Sequence, residues 1–257
     1  MAIWATGDIH GNARRFFMEA FPEQKEMTKE DVMLQLGDFG LIWDWRGETN
    51  EEEYWLDLLE EKNFTLCFVD GNHENHDRLS QYPVKEWHGG KVHEIRPHVL
   101  HLMRGEIFDI CGKKVFAFGG ASSHDISDGI IDPADYPNEK ALRRELQRME
   151  LEGKYMYRIK GRSWWEQELP TEEEMQNGLK NLEKHNYKVD YIITHCPPAS
   201  TIALLGQGLY KQDVLTKYLE EVRQKTNYKY WLFGHMHISK AINDKDICLY
   251  EQIVRIN

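Results

Sequence analysis

Apolar residues recur along the chain in short runs, and five of these runs stop in the same way. Ile3–Thr6 runs into Gly7-Asp8-Ile9-His10-Gly11. Val32–Leu36 runs into Gly37-Asp38. Thr65–Val69 leads, through Asp70, into Gly71-Asn72-His73-Glu74. Tyr191–Thr194 runs into His195, and Tyr230–Phe233 into Gly234-His235-Met236-His237. Runs of four or five residues, rich in β-branched and aromatic types and closed by turn residues, predict buried strands. Each stops at a side chain competent to bind a metal, and four of the five place a glycine immediately before it. In open α/β sheets, ligands bind outside the carboxyl ends of the strands. Five such ends at one rim would gather Asp, His and Asn donors into one cluster.

Between these runs the pattern changes to a helical period. A helix is predicted over Asn12–Phe21, packing Phe16, Phe17 and Ala20 and stopped by Pro22. A turn at Thr28–Asp31 follows. Phe39–Gly47 reads as an aromatic loop at the rim of the suspected site. A helix over Glu51–Lys62 would bury Tyr54, Trp55, Leu58 and Leu59, and a short one spans Asn75–Gln81. Lys91–Ile95, Val99–Met103, Glu106–Ile110 and Lys113–Phe118 predict short antiparallel strands, with hairpin turns at Arg104-Gly105-Glu106 and Cys111-Gly112-Lys113. They read as an antiparallel sheet inserted between the parallel strands.

Residues 126–188 read as an elaboration. Asn138 could cap a helix carrying Leu142, Leu146 and Met149. Lys154–Arg162 is basic and aromatic, and Ser163-Trp164-Trp165 follows it. Thr171 with Glu174 fits a capping box for a helix burying Met175, Leu179 and Leu182. Another helix is predicted over Lys211–Glu221. Ile238–Asn257 suggests a hairpin turning at Asn243–Asp246. With no repeat and no convincing linker, 1–257 reads as one domain.

Composition adds bounds. A chain of 257 residues, 41% hydrophobic and 29% charged, is ordinary for a soluble protein. No apolar run reaches the ~18 residues of a membrane span, and no secretory leader pattern precedes the first strand. Cys67, Cys111, Cys196 and Cys248 lie far apart without zinc-finger spacing, so reduced thiols and a cytoplasmic location are expected. A net charge of −11 argues against nucleic acid as a nonspecific partner, although bound cations would locally reverse the sign.

The donors themselves narrow the chemistry. Asp8 and His10, two apart at a strand end, would project to one side and share an ion. A carboxylate with an imidazole suits Mn, Fe or Zn better than Ca or Mg. Asp38 could bridge two ions. Asn72, His195 and one of His235 or His237 would complete the second position. Seven donors exceed what a single tetrahedral zinc with an open position needs. They suit two ions roughly 3.5–4 Å apart, the arrangement used for in-line displacement at phosphorus. His73, next to Asn72 and not needed as a ligand, is the candidate general acid, with an ordinary pKa near ~6.5.

Taken in order, Asp8-x-His10, Gly37-Asp38, Gly71-Asn72-His73-Glu74, His195 and Gly234-His235-x-His237 resemble the five-part signature of the calcineurin-like metallophosphoesterases. The resemblance implies a four-layer α/β/β/α sandwich with two central mixed β-sheets, and two divalent ions with Mn favoured for activity. It implies that Asp8, His10 and His237 hold the first metal and that Asp38 bridges. Asn72, His195 and His235 would hold the second. His73 would protonate the leaving group after attack by a metal-bridging hydroxide.

The protein phosphatase branch has Gly-Asp-x-Val-Asp-Arg-Gly at its second motif, and here Gly37–Asp44 lacks that arginine. Arg46, Arg158 or Arg162 are the candidates to replace it, and His124 is a candidate substrate contact. A surface or structural role is the alternative for His124, and a solvated face for Arg158, Lys160 and Arg162. Asp44 and Glu74 are candidates to orient His73. Trp164 and Trp165 would either cover the site or be buried under the elaboration. A phosphorylated small molecule or nucleotide is the expected substrate. A diesterase or nuclease, and a catalytically silent scaffold, are the competing readings.

Overall fold

Both faces of the five strands that carry the donors are covered, which is why they read as unbroken apolar runs rather than alternating ones. The computed structural model describes residues 1–206 and 212–257. In chain order the strands are β1 (Ile3–Thr6), β2 (Val32–Gln35), β3 (Thr65–Phe68), β4 (Val84–Trp87), β5 (Gly90–Arg96), β6 (Val99–Leu102), β7 (Glu106–Ile110), β8 (Lys113–Phe118), β9 (Gly129–Ile131), β10 (Tyr157–Ile159), β11 (Tyr191–Thr194), β12 (Tyr230–Phe233), β13 (Lys240–Ala241), β14 (Asp246–Cys248) and β15 (Val254–Arg255). The helices are α1 (Asn50–Glu60), α2 (His76–Leu79), α3 (Glu139–Leu151), α4 (Glu172–Lys184), α5 (Ala199–Gly206) and α6 (Val214–Lys225).

Two mixed sheets form the centre. One has the order β15-β1-β2-β3-β6-β5-β4, the other β13-β14-β12-β11-β8-β7. In the first, β1, β2, β3 and β6 pair in parallel, with antiparallel pairs β15–β1, β6–β5 and β5–β4; in the second, β14, β12, β11 and β8 pair in parallel, with antiparallel pairs β13–β14 and β8–β7. Ile3, Ala5, Leu34 and Val69 of the first sheet pack against Phe108, Val115, Tyr191 and Leu232 of the second. The alternate residues face outward. Met33, Leu66 and Phe68 meet Phe16, Leu56 and Leu59 on one side. Phe116, Ile192 and Trp231 meet Met175, Leu182, Leu215 and Val222 on the other. The result is the four-layer arrangement expected from the resemblance.

Register places the site. Thr6 pairs with Gln35, and Gln35 with Phe68, so β1, β2 and β3 end level. Thr194 pairs with Phe233, so β11 and β12 also end level. Every donor motif leaves a carboxyl end of this set.

Several local expectations change. Residues 12–21 form only a 3-10 turn, Ala13–Phe16, with a second at Pro22–Glu26, and Ala20 is exposed. The chain turns early because Arg15 reaches back to the carbonyls of Gly7, Asp8 and Tyr250. On α1 the buried apolar positions are Leu56 and Leu59, while Tyr54 is exposed and Trp55 and Leu58 are only part-buried. Thr49 and Glu52 set that rotation through a capping box, and the Glu52 carboxylate turns inward to Arg78 and the amides of Trp43 and Asp44.

The antiparallel strands are not one inserted sheet. β4 and β5 extend the first sheet beyond β6, and β7 with β8 closes the edge of the second. Arg104-Gly105 is therefore a crossing between sheets rather than a hairpin. Cys111-Gly112 does turn the β7–β8 hairpin. The helix predicted from Lys211 has its first residue outside the described residues, and α6 begins at Val214. The turn at Asn243–Asp246 joins β13 to β14, but β15 leaves to pair with β1 across the sandwich.

Within residues 126–188, β9 and β10 form a small parallel pair, Asn138 caps α3, and Thr171 with Glu174 makes a capping box on α4. Among the described residues no helix is long and apolar enough to cross a membrane.

Candidate metal centre

Asp8 and His10 lie beyond the end of β1, so strand alternation is not what brings them together. A turn does, held by bonds from the Ile9 and His10 amides to the Asp38 carbonyl. His10, Asp38, His235 and His237 all take positive φ, at 45°, 50°, 65° and 49°. For residues with a Cβ this left-handed region costs about 1–3 kcal/mol each and collects at functional sites. The glycines ahead of the donors serve neighbouring motifs. A Cβ at Gly37 would strike the His195 ring, one at Gly71 the Asp38 carboxylate, and one at Gly234 the Asp8 carboxylate.

The donor atoms form two overlapping groups. Asp8, His10, Asp38 and His237 each offer one atom, all within 4.8 Å of one another, and so do Asp38, His195 and His235. In the first group, His237 Nε2 lies 3.2 Å from Asp8 Oδ2 and 3.0 Å from His10 Nε2. In the second, His195 Nε2 is 3.2 Å from Asp38 Oδ1 and 3.2 Å from His235 Nδ1. Asp38 belongs to both. Asn72 is buried, and its side-chain oxygen has no hydrogen-bond partner among the described residues. An orphaned buried acceptor is costly unless something absent from the chain satisfies it. Imidazole contacts at these distances, around two buried carboxylates, fit a pair of divalent cations.

Electrostatics agree. Burial opposes charge on His195, but Asp38 and Asp8 outweigh it and push the imidazole up to about 10. Burial likewise opposes the Asp38 charge, and His195 overrides it, holding the carboxyl well below its usual range. His235, part-buried between His195 and His124, is held well below the ordinary imidazole range by desolvation and by those two neighbours. The carboxylates call for positive charge, and His195 supplies it from a proton.

His73 sits at the edge of this group. Its amide donates to Asp38 Oδ1 at 2.9 Å, its ring packs edge-on to His10, and Trp43 stacks on it at 5.5 Å. Its Nε2 faces Arg158 Nη2 at 2.9 Å. Arginine only donates, so this nitrogen is the acceptor of a neutral ring. Burial lowers His73 most; Asp38 pushes it back up and Arg158 adds to the lowering, leaving it at about 4 rather than the ordinary value expected from sequence.

Neither suggested carboxylate orients His73. Glu74 is fully buried and accepts the amides of Phe39, Gly40 and Gly71, tying the second and third motifs together. Asp44 pairs with exposed Arg46. Arg162 pairs with Glu139 and lies over the Trp45 ring at 4.5 Å. His124 is brought in, with Nε2 2.6 Å from that of His235. Trp165 is buried and packs edge-on to Trp43. Trp43 was not singled out from sequence, and Arg158 was named there only as a candidate phosphate-binding arginine, not as a contact of His73. The aromatic loop and the basic segment were visible, but contacts made across 30 residues by Trp43 and 85 by Arg158 leave no local signal.

The family model of calcineurin-like phosphoesterases matches residues 1–239, and the chain belongs to that family. No curated protein matches it.

Proposed function

We propose that this protein is a two-metal phosphoesterase acting on small phosphorylated molecules, with His73 as general acid. The observation that carries the reading is Asp38, whose two oxygens serve the two donor groups at once. Asp8, His10 and His237 would hold one ion, and Asn72, His195 and His235 the other. Such ions supply Lewis acidity, giving hydroxide near neutral pH and neutralising phosphoryl charge. Manganese, iron and zinc suit this mixed donor set, and manganese is the ion we favour for activity.

The chain's own residues do the rest. Asp38 fixes the backbone of His73, and Trp43 fixes its ring. A phosphoryl dianion beside them offsets the Arg158 charge and favours the protonated ring that can deliver a proton to the leaving group. Two clefts flank His10 and make room for a small substrate. One of about 300 Å³ is lined by Trp43, Asp44 and Trp55, and one of about 550 Å³ by Arg14, Arg15 and Tyr250. Both are within the range of small-molecule sites. Free thiols at Cys67, Cys196 and Cys248, all buried, suit a reducing compartment such as the cytoplasm.

The test is hydrolysis of an aryl phosphomonoester by manganese-loaded protein. Turnover should depend on the metal and vanish with chelator. His73→Ala should lose turnover while keeping its manganese. Loss of manganese in that variant would make His73 a ligand. Full metal content without turnover in the parent chain would favour a binding scaffold instead.

A further inference from the structure

Arg158 and Arg104 are both buried, yet they are partnered differently. Arg104 faces carboxylates, Asp70 at one end and Glu174 at the other. That is the usual way a fold neutralises a buried cation. Among the described residues Arg158 is ion-paired with one carboxylate, Asp125, on Nε at 2.7 Å. Its Nη1 donates to the carbonyls of Asn72 at 3.1 Å and Ser163 at 3.3 Å. Its Nη2 is given to the imidazole of His73. A neutral ring nitrogen is a weak partner for a desolvated guanidinium. Phosphoryl oxygens, by contrast, match the planar fork and bind it with charge-assisted bonds.

The position is equally specific. Arg158 stands on β10, held beside β9 by the pairing of Arg158 with Ile130. Its head lies one peptide from the orphaned Asn72 side chain and against the proposed acid. Carbonyls hold Nη1 and Asp125 holds Nε, which fixes the plane of the guanidinium. Its Nη2 lies on the His73 ring, the group that must reach the leaving oxygen of the ester.

We propose that Arg158 is the phosphoryl-oxygen clamp of this site, and that it selects phosphomonoesters over diesters. The proposal rests on the phosphoesterase reading above. A monoester dianion carries three non-bridging oxygens, enough for the metal pair and for Arg158. A diester carries two, and its second ester group takes the place of the third oxygen. Seated against Arg158, that group would leave a buried donor unpaired, which is how polar sites reject analogues lacking a partner atom.

The experiment compares the parent chain with Arg158→Ala and Arg158→Lys, all manganese-loaded. Each is assayed on an aryl phosphate and on the matching aryl methyl diester. Manganese content and melting temperature are followed in parallel, and binding of inorganic phosphate is measured by calorimetry. Arg158→Ala should lose roughly 100-fold in kcat/KM on the monoester and less than about 5-fold on the diester, the scale of a lost charge-assisted contact. Phosphate binding should weaken at least about 10-fold. The lysine variant should fall between, and added guanidinium ion should restore part of the alanine variant's monoester activity.

Equal losses on both esters, loss of manganese in both variants, or unchanged phosphate binding would overturn the clamp and leave Arg158 as a prop for Asn72 and His73. If the parent hydrolyses neither ester yet binds phosphate through Arg158, the hydrolytic reading fails and the clamp stands. If the parent turns over and Arg158→Ala matches it on the monoester, the clamp fails and the hydrolytic reading stands.

Discussion

Asp38 Oδ1 accepts the backbone N–H of His73 at 2.9 Å while lying 3.2 Å from His195 Nε2. One oxygen thus ties the proposed acid to a donor more than 100 residues away in sequence. The other oxygen faces His10 at 3.8 Å. Asp38→Asn keeps the shape and removes the charge. It should empty both metal positions together, seen as loss of about two equivalents of manganese by elemental analysis, and cut kcat/KM by at least ~1,000-fold. A variant holding one full equivalent would mean that Asp38 serves a single ion.

Gly71→Ala tests the spatial logic of the motifs. The added methyl must displace the Asp38 carboxylate or the loop that carries it. Metal content should drop sharply, while circular dichroism should keep the sandwich signature. Normal metal binding would show that the loop yields more easily than its packing implies.

His195 gives a proton-linked prediction. Its imidazole, raised to about 10, is protonated at neutral pH when no metal is bound, and a metal must displace that proton. Titrating manganese into weakly buffered protein at pH 8 should release close to one proton at this residue, and apparent affinity should rise roughly tenfold per pH unit between about 7 and 9. The stability sign follows. A raised pKa stabilises the metal-free fold fully below about 6.5, and this contribution is lost as pH rises through about 10. Metal-free protein should therefore melt lower at pH 10 than at pH 7.

Asp70 works in the opposite direction. Burial alone would raise its carboxyl, but Arg104 and the His101 hydrogen bond outweigh that and hold it well below the usual range. Its contribution is complete above about pH 4 and disappears as the pH falls further. Urea midpoints should drop on acidification below pH ~4. Asp70→Asn, which leaves buried Arg104 only Glu174 and the Gln167 carbonyl, should cost up to about 3 kcal/mol at neutral pH and flatten that dependence.

The sandwich and the convergence of Asp8, His10, Asp38, His195, His235 and His237 were legible from sequence because buried strands announce themselves as apolar runs, and each run ended on a side chain able to bind a metal. Asp8, Asp38 and His195 needed only a common rim to meet. Arg158 was not legible as a contact of His73. Its segment is basic and aromatic, which fits a solvated face as well as a site, and only the β9–β10 pairing aims it inward. The α1 face was misread because Glu52, a charged residue, is buried by Arg78 and two amides while Tyr54 is left outside. The turn after Asn12 was misread because Arg15 satisfies carbonyls at the end of β1, a demand that helical periodicity does not register.

The left-handed backbone at His10, Asp38, His235 and His237 has an evolutionary consequence. Glycine is at ease in that conformation, so the three histidine positions among them are pulled toward it whenever hydrolysis is not under selection, while Asp38 is held by its bonds to His73 and His195. Glycine variants at the three histidine positions, melted without metal, should hold the parent's melting temperature or exceed it, while binding no manganese. A descendant of this chain that had drifted into silence would carry its history as glycines where these imidazoles now stand.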